Sequence, residues 1–268
     1  MAKQKNLYRD HHFNQIKTGW NVVFSIILCL ISLLMLIPLV LIVVVSFSSE
    51  ASIALNGFSF FPTEWTLVGY KYLAKMGDQI LVSYRITIII TILGTLMSLF
   101  VMTMYAYVLA QKNFVFRKFF MWILFFTMLF SGGLVASYMI NAQVLGLKNT
   151  YWVLILPICC SSFYIIIMRT FFQTTVPDAI IESAKIDGAR QIRIFVQIVL
   201  PISLPAIATI GLFYTFAYWN DWMMAKYYLN SNAQNLFPLQ YVLISLESNI
   251  DFLTRNQQFM GPGEASNI

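Results

Sequence analysis

The sequence predicts an all-α membrane protein, a multi-span helical bundle, and three observations carry that expectation. Of 268 residues, 59% are hydrophobic and 10% are charged, against about 25% charged in a soluble domain. The apolar residues are gathered in runs of the length, about 20 residues at 1.5 Å rise, that a helix needs to cross a bilayer. The aromatic residues, 23 Phe, 14 Tyr and 6 Trp, suit lipid-facing and interfacial surfaces. The formal charge of +6 is carried by the polar loops between runs, so nucleic acid is not an expected partner. Cys29, Cys159 and Cys160 lie within apolar runs and read as small hydrophobes, not as a disulfide or metal set.

Five runs are expected to span. The first is Trp20 to Val45, and no charge falls between Asn21 and Ser49. The polar stretch before it is too long, and the run itself too long, for a cleavable signal. The second is Ile86 to Ala110. Its Gly94 and Ser98 have the small-xxx-small spacing of close helix contacts. The third is Phe119 to Ile140, in which Gly132 and Gly133 permit a bend or a close contact. The fourth is Tyr151 to Met168, with a kink expected at Pro157. The fifth is Ile202 to Trp219. The charge-free stretch Tyr227 to Leu246 is not expected to span, because Asn230, Asn232, Gln234, Asn235 and Gln240 would be left without partners in hydrocarbon.

With the N-terminus inside, the inner segments hold 11 of the 17 Lys and Arg residues and 4 of the 11 acids. That is the positive-inside orientation. It makes residues 1–19 a basic cytoplasmic segment and places the polar segment between the fourth and fifth spans on the cytoplasmic side. It makes residues 222–268 an outer segment.

That inner segment, TTVPDAIIESAKIDGARQIRIFVQIVLP, is the most polar helical stretch within the apolar region. Thr175 and Asp178 have capping-box spacing, and Pro177 suits a first turn. Ala179, Ile180, Ala184 and Ile186 supply apolar surface. Gly188 interrupts the pattern as a helix end would. A second helix follows with Ile192, Phe195, Ile198 and Val199 apolar and Gln191 as an exposed, replaceable position. A helix–turn–helix at the inner face is either an interfacial connector or a docking element for a cytoplasmic partner.

Glu182-Ser183-Ala184, three residues, Gly188, nine residues, Ile198, one residue, Leu200-Pro201 resembles the EAA loop of bacterial ABC importer permeases, departing at Ser183 where Ala is usual. ESAKIDGA with LPISLPA is similar to the carbohydrate-uptake, MalG-like branch. LFSGGLVASYMI, LGLKNTYWVLILP and ATIGLFYTFAYWNDW extend the resemblance to its LplC-type subgroup, over roughly residues 15 to 245. The resemblance implies a type I (MetI/MalG-like) permease domain over residues 20–268, with a coupling loop over residues 175–203. A sixth span is expected beyond the outer lead-in GPGEASNI. It implies that Glu182, Ser183, Ala184, Asp187, Gly188, Ile198, Leu200 and Pro201 couple the chain to an ATPase. It further implies a second homologous permease, two ABC ATPases that carry ATP and Mg, an extracellular solute-binding lipoprotein, a surrounding plasma membrane and an oligosaccharide cargo.

No cofactor or metal is expected on this chain, and no catalytic set appears in it. The adjacent His11 and His12 lack further ligands and read as part of a solvated tail. FSGGL, from Phe130 to Leu134, resembles an ATPase signature but has no P-loop to serve it. Tyr218, Trp219, Asn220 and Asp221, with Tyr138 and Asn141, are substrate-pathway candidates, since aromatic faces stack on sugars and amides or acids bond hydroxyls. An aromatic belt would look the same. A secondary carrier is the rival class, but it would carry ionisable groups within its spans. A non-transporting scaffold that docks a cytoplasmic protein would share the polar segment.

Overall fold

A computed structural model describes residues 18–49, 52–53 and 56–256. The basic N-terminal segment with His11 and His12, and the GPGEASNI lead-in, lie outside the described residues. The described residues are helical apart from turns, loops and one isolated antiparallel bridge between Ser48 and Trp65. The chain divides into two compact units between Met76 and Gly77.

The first unit holds helix α1, Thr18–Ser46, whose residues are apolar around the whole circumference. A helix of this length that is apolar all round suits a membrane span. After it the chain folds back: Thr66 N–H donates to the Phe47 carbonyl at 2.7 Å, and the Ser52 hydroxyl accepts from Thr63 N–H at 3.0 Å. Helix α2, Val68–Lys75, brings Tyr70 against Phe47, ring centroids 5.1 Å apart.

The second unit is built on α3, Gly77–Ala110. This helix starts well before the expected Ile86, because Asp78, Gln79 and Arg85 can continue a helix beyond the apolar run. It buries Ile86, Ile90, Met102, Ala106 and Leu109 along with Thr87 and Ser98. Packed on it are α7, Ser162–Thr175, and α10, Leu204–Trp219. Gly94 and Ser98 form the notch the small-residue spacing predicts. The Tyr218 ring fills it, and a Cβ at Gly94 would stand 2.6 Å from that ring.

The remaining elements depart from simple spans. The expected third span is a broken pair, α4 (Arg117–Leu129) and α5 (Gly133–Val144), bent by 117°. Gly133, at φ 76°, sits at the turn, so the bend reading of the glycine pair holds. The expected fourth span is not a kinked helix. After α6, Tyr151–Ile155, residues 156–161 are non-helical and α7 begins with Ser161 extended at its N-cap. Among the described residues, α1 and α3 are long and apolar enough to cross a membrane alone. The α4–α5 pair, and the pair Gln191–Ile202 with α10, are so only jointly. The rejected stretch Tyr227 to Leu246 is indeed broken, into α11 (Met223–Tyr228), a 3₁₀ turn (Ser231–Leu236) and the start of α12 (Leu239–Asn256). Two of its backbone groups are met by side chains of α3: Leu239 N–H donates to the Thr87 hydroxyl at 2.9 Å, and Gln79 donates to the Gln234 carbonyl at 3.1 Å.

Candidate functional site: an exposed helical hairpin

Helices α8 (Asp178–Ile186) and α9 (Gln191–Ile202) form the hairpin that the sequence marks out. Pro177 forces Val176 into an extended conformation and itself occupies the N-cap, at φ −64° and ψ 132°. The Thr175–Asp178 capping box therefore does not form; Thr175 closes α7 and no side chain caps α8. Asp178 lies in the first turn of α8, where the helix dipole favours an acid, and it pairs with Lys112.

The far end of α8 is a Schellman turn. Ala189 N–H donates to the Ala184 carbonyl at 2.9 Å, and Gly188 N–H to the Lys185 carbonyl at 3.0 Å. That double bond pattern needs a left-handed residue between them, and Gly188 supplies it at φ 78°. No atom stands within 4 Å of where a Gly188 Cβ would be, so the demand is on backbone conformation alone.

Burial separates what anchors from what is presented. Ile194 and Val199 are buried, while Glu182, Ser183, Lys185, Ile186, Asp187 and Gly188 are exposed. Ala184, Ile198 and Leu200 are half-buried, and Pro201 is exposed. The anchoring face differs from the expected one: Ile186 and Ile192 are 86% and 78% exposed, and Ile194 takes the inward place. Within α9 the physical reason is a wide, five-residue-step turn over Phe195–Val199, which puts Ile194 and Val199, five residues apart, on one inward face; Ile186 lies before it, at the end of α8. The sequence shows no mark of this turn.

Tyr107 of α3 holds α9 in place. Its hydroxyl donates to the Gln191 side-chain oxygen at 2.9 Å, and its ring lies 4.7 Å from that of Phe195. Gln191 is exposed yet bonded, so it is not the freely replaceable position the sequence suggests. The last carbonyls of α3, orphaned by helix termination, are also used. Leu109 accepts from Arg169 Nε at 3.2 Å and Ala110 from Gln173 Nε2 at 3.3 Å. A polar cleft of about 400 Å³ opens beneath α8, lined by Tyr107, Gln111, Asp178, Glu182 and Lys185 among others.

Of the second candidate set, Trp219 lies beside the early turns of α3. Tyr84, whose ring meets that of Trp219 edge-on at 5.8 Å, and Tyr107 are about 35 Å apart at 1.5 Å per residue. That separation is close to the thickness of a bilayer's hydrocarbon. Tyr218 is not open to any mouth. It is 2% exposed, its hydroxyl donates to the Ile155 carbonyl at 3.0 Å, and it lies 3.1 Å from the Ser98 hydroxyl. Its place is in the packing of α10 on α3. Asn220 is exposed and accepts from Gln240 at 3.3 Å. Asp221, past the end of α10, accepts from Met224 N–H at 3.4 Å, and burial pushes its carboxyl up to about 6. Tyr138 and Asn141 do come together, around Tyr228, a residue that no motif in the sequence marks. The Tyr138 and Tyr228 rings stack at 5.4 Å, Asn141 donates to the Tyr228 hydroxyl at 3.2 Å, and Lys148 donates to the Tyr138 hydroxyl at 3.4 Å.

The hairpin and the helices around it are shared with known proteins. The polygalacturonan/rhamnogalacturonan transport system permease protein YtcP of Bacillus subtilis is 39% identical, over 81% of this chain and 74% of its own. Protein LplC of the same organism is 41% identical, over 78% and 69%. A solved bacterial ABC transporter involved in the import of the acidic polysaccharide alginate aligns with a TM-score of 0.72 at 28% identity, covering 86% of this chain and 81% of the other. Residues 103–261, which contain α9, α10 and the whole of α8, match the family described as the binding-protein-dependent transport system inner membrane component. On these grounds the chain belongs to the family of binding-protein-dependent transport system inner membrane components, the permeases its sequence resembles.

Proposed function

We propose that this chain is the permease subunit of an ATP-driven importer that takes an oligosaccharide from an extracellular binding protein and moves it across the plasma membrane by alternating access. The observation that carries the reading is the hairpin. It is rooted by Ile194 and Val199, closed by a glycine turn, and presents Glu182, Ser183 and Asp187 outward. A polar, rigid projection on a membrane bundle suits a soluble partner. In this reading the partner is one of two ABC ATPases, which bind ATP and Mg, while a second homologous permease completes the pathway. The N-terminus and the hairpin are cytoplasmic, and Glu182, Ser183, Ala184, Asp187, Gly188, Ile198, Leu200 and Pro201 form or shape the ATPase contact.

The relatives support a glycan cargo, since one is named for polygalacturonan and rhamnogalacturonan and another for alginate. The stacked Tyr138–Tyr228 pair, with Asn141 and Lys148 beside it, is the arrangement best suited to meet a sugar face and its hydroxyls. Trp219, Asn220 and Asp221 are the remaining pathway candidates.

The test is co-purification of the ATPase with wild-type and Glu182→Lys chains, followed by ATP-dependent uptake of oligosaccharides in proteoliposomes. A like charge in a partly buried contact costs several kcal/mol, so the substitution is expected to abolish ATPase retention and uptake while the chain still inserts. Normal retention and uptake in Glu182→Lys and Gly188→Pro would refute the docking role. Uptake of amino acids with no response to any glycan would refute the cargo.

A further inference from the structure

Beside the first turn of α4 lies a second cleft, of about 960 Å³. Lys112, Arg117, Lys118 and Arg169 line one end of it, and Trp122, Phe125 and Leu129 lie along the rest. Among the described residues no acid lines it. Lys112 is engaged by Asp178 from outside the cleft, and Arg169 gives one N–H to the Leu109 carbonyl. Arg117 and Lys118 have no ion-pair partner among the described residues. Arg117 also stands close enough to Arg169 for their charges to repel. A further cost bears on Arg117 and Lys118: they sit in the first turn of a helix with no acid there, where the dipole disfavours positive charge.

The apolar part of the cleft has a direction. Met121, Trp122, Phe125 and Leu129 follow Arg117 and Lys118 at helical spacing, so they form one stripe running away from the cations. From Arg117 to Leu129 the stripe is about 18 Å long at 1.5 Å per residue. Trp122 and Leu129 are 74% and 75% exposed. An anion without a tail would satisfy the cations and leave the stripe bare; an apolar helix would cover the stripe and leave the cations unpaired.

We propose that this cleft holds an anionic phospholipid, its phosphate among Arg117, Lys118 and Arg169 and one acyl chain along Met121, Trp122, Phe125 and Leu129. The placement in the inner leaflet rests on the reading above that puts the hairpin in the cytoplasm. The cleft shares Lys112 and Arg117 with the polar cleft beneath α8, so the lipid headgroup lies next to the coupling segment.

The experiment uses the assembled transporter, purified in detergent and exchanged into phosphatidylglycerol or phosphatidylcholine, with bound lipid counted by native mass spectrometry. Wild type is expected to retain phosphatidylglycerol selectively. Each cation removed near a membrane surface weakens such binding roughly fivefold, so Arg117→Gln with Lys118→Gln is expected to lose about thirtyfold. Lys118→Gln alone, at an exposed position, gives the smaller loss in a chain whose fold is undisturbed. Trp122→Ala is expected to shorten lipid retention with the cations intact. Equal retention of the two lipids, or no loss in Lys118→Gln, would overturn the proposal. So would displacement of the lipid by excess inorganic phosphate, which would make the site one for a free anion, or cross-linking of the Trp122 face to the second permease. ATPase content is read in the same samples. Its loss with phosphatidylglycerol selectivity retained would count against the coupling role and leave the lipid site standing.

Discussion

Gly94→Ala is the sharpest test of the packing at the centre of the second unit. The new Cβ would lie 2.6 Å and 2.7 Å from three atoms of the Tyr218 ring, where 3.4 Å is ordinary contact. The ring must therefore withdraw by about 0.8 Å, in a core packed too tightly to yield without cost. Its hydroxyl is held at 3.0 Å by the Ile155 carbonyl and at 3.1 Å by Ser98, so withdrawal also stretches both bonds. Overpacking costs about 1–3 kcal/mol and a weakened buried hydrogen bond about 1 kcal/mol. The better helix propensity of Ala returns about 1 kcal/mol. The net expectation is a loss of about 1–3 kcal/mol. It is measured by thermal inactivation of the solubilised complex, or by its unfolding in mixed micelles. Tyr218→Phe keeps the ring, so Gly94→Ala should still be costly in that background. Tyr218→Leu removes the ring, and there Gly94→Ala should be neutral or slightly stabilising. An equal cost in the Tyr218→Leu background would refute the steric account.

Other outcomes are expected. Gly188→Ala meets no atoms but places a Cβ on a residue at φ 78°, costing about 1–2 kcal/mol; ATPase retention should fall, and Gly188→Asn should restore part of it. Gln191→Ala strips the Tyr107 hydroxyl of its side-chain acceptor and should cost about 1 kcal/mol in melting experiments, more than an exposed position normally does. Lys112→Ala breaks an ion pair whose side chains are 73% and 61% exposed, and should change stability by less than about 1 kcal/mol in the same assay. The Asp221 carboxyl is raised to about 6 by burial, above its unfolded value near 4. Protonation therefore favours the folded loop: the local stability is full below about pH 4 and is lost as pH rises through about 6. Hydrogen exchange at Met223–Tyr228 should speed up across that window, and Asp221→Asn should flatten the response.

The hairpin was legible because its signals are local. Pro177, the acids of the first helix, Gly188 and the cations of the second each punctuate a short stretch. The capping box that the spacing suggests does not form because Pro177 dictates the conformation of Val176 before any Thr175 hydroxyl can act. The inward face of α9 is not legible because residues 192, 194, 195, 196, 198, 199 and 200 are all apolar, a run that fits several registers, and the wide turn at Phe195–Val199 selects among them. Longer-range choices left no trace. That Tyr218 turns inward depends on a notch at Gly94, 124 residues earlier, and on a carbonyl freed where α6 ends. The interruption around Pro157 exceeds what one proline demands, since regular helix does not resume until Ser162. Tyr228 could be recognised only once α11 had brought it beside Tyr138.

Helices α9 and α10 meet at Ser203 with a bend of 79°, and the chain offers no slack there. Ser203 is fully enclosed and its hydroxyl finds no partner among the described residues. An L-shaped pair of rods with a tight corner is a bell crank. In the transport reading proposed above, a sideways thrust on the short arm, where the hairpin is presented, would turn the long arm. With α10 about 24 Å long, a turn of about 10° at the corner would carry Trp219 through about 4 Å. Tyr218, one residue from Trp219, would be carried almost as far, so the fit of its ring in the Gly94 notch is the contact that resists the movement.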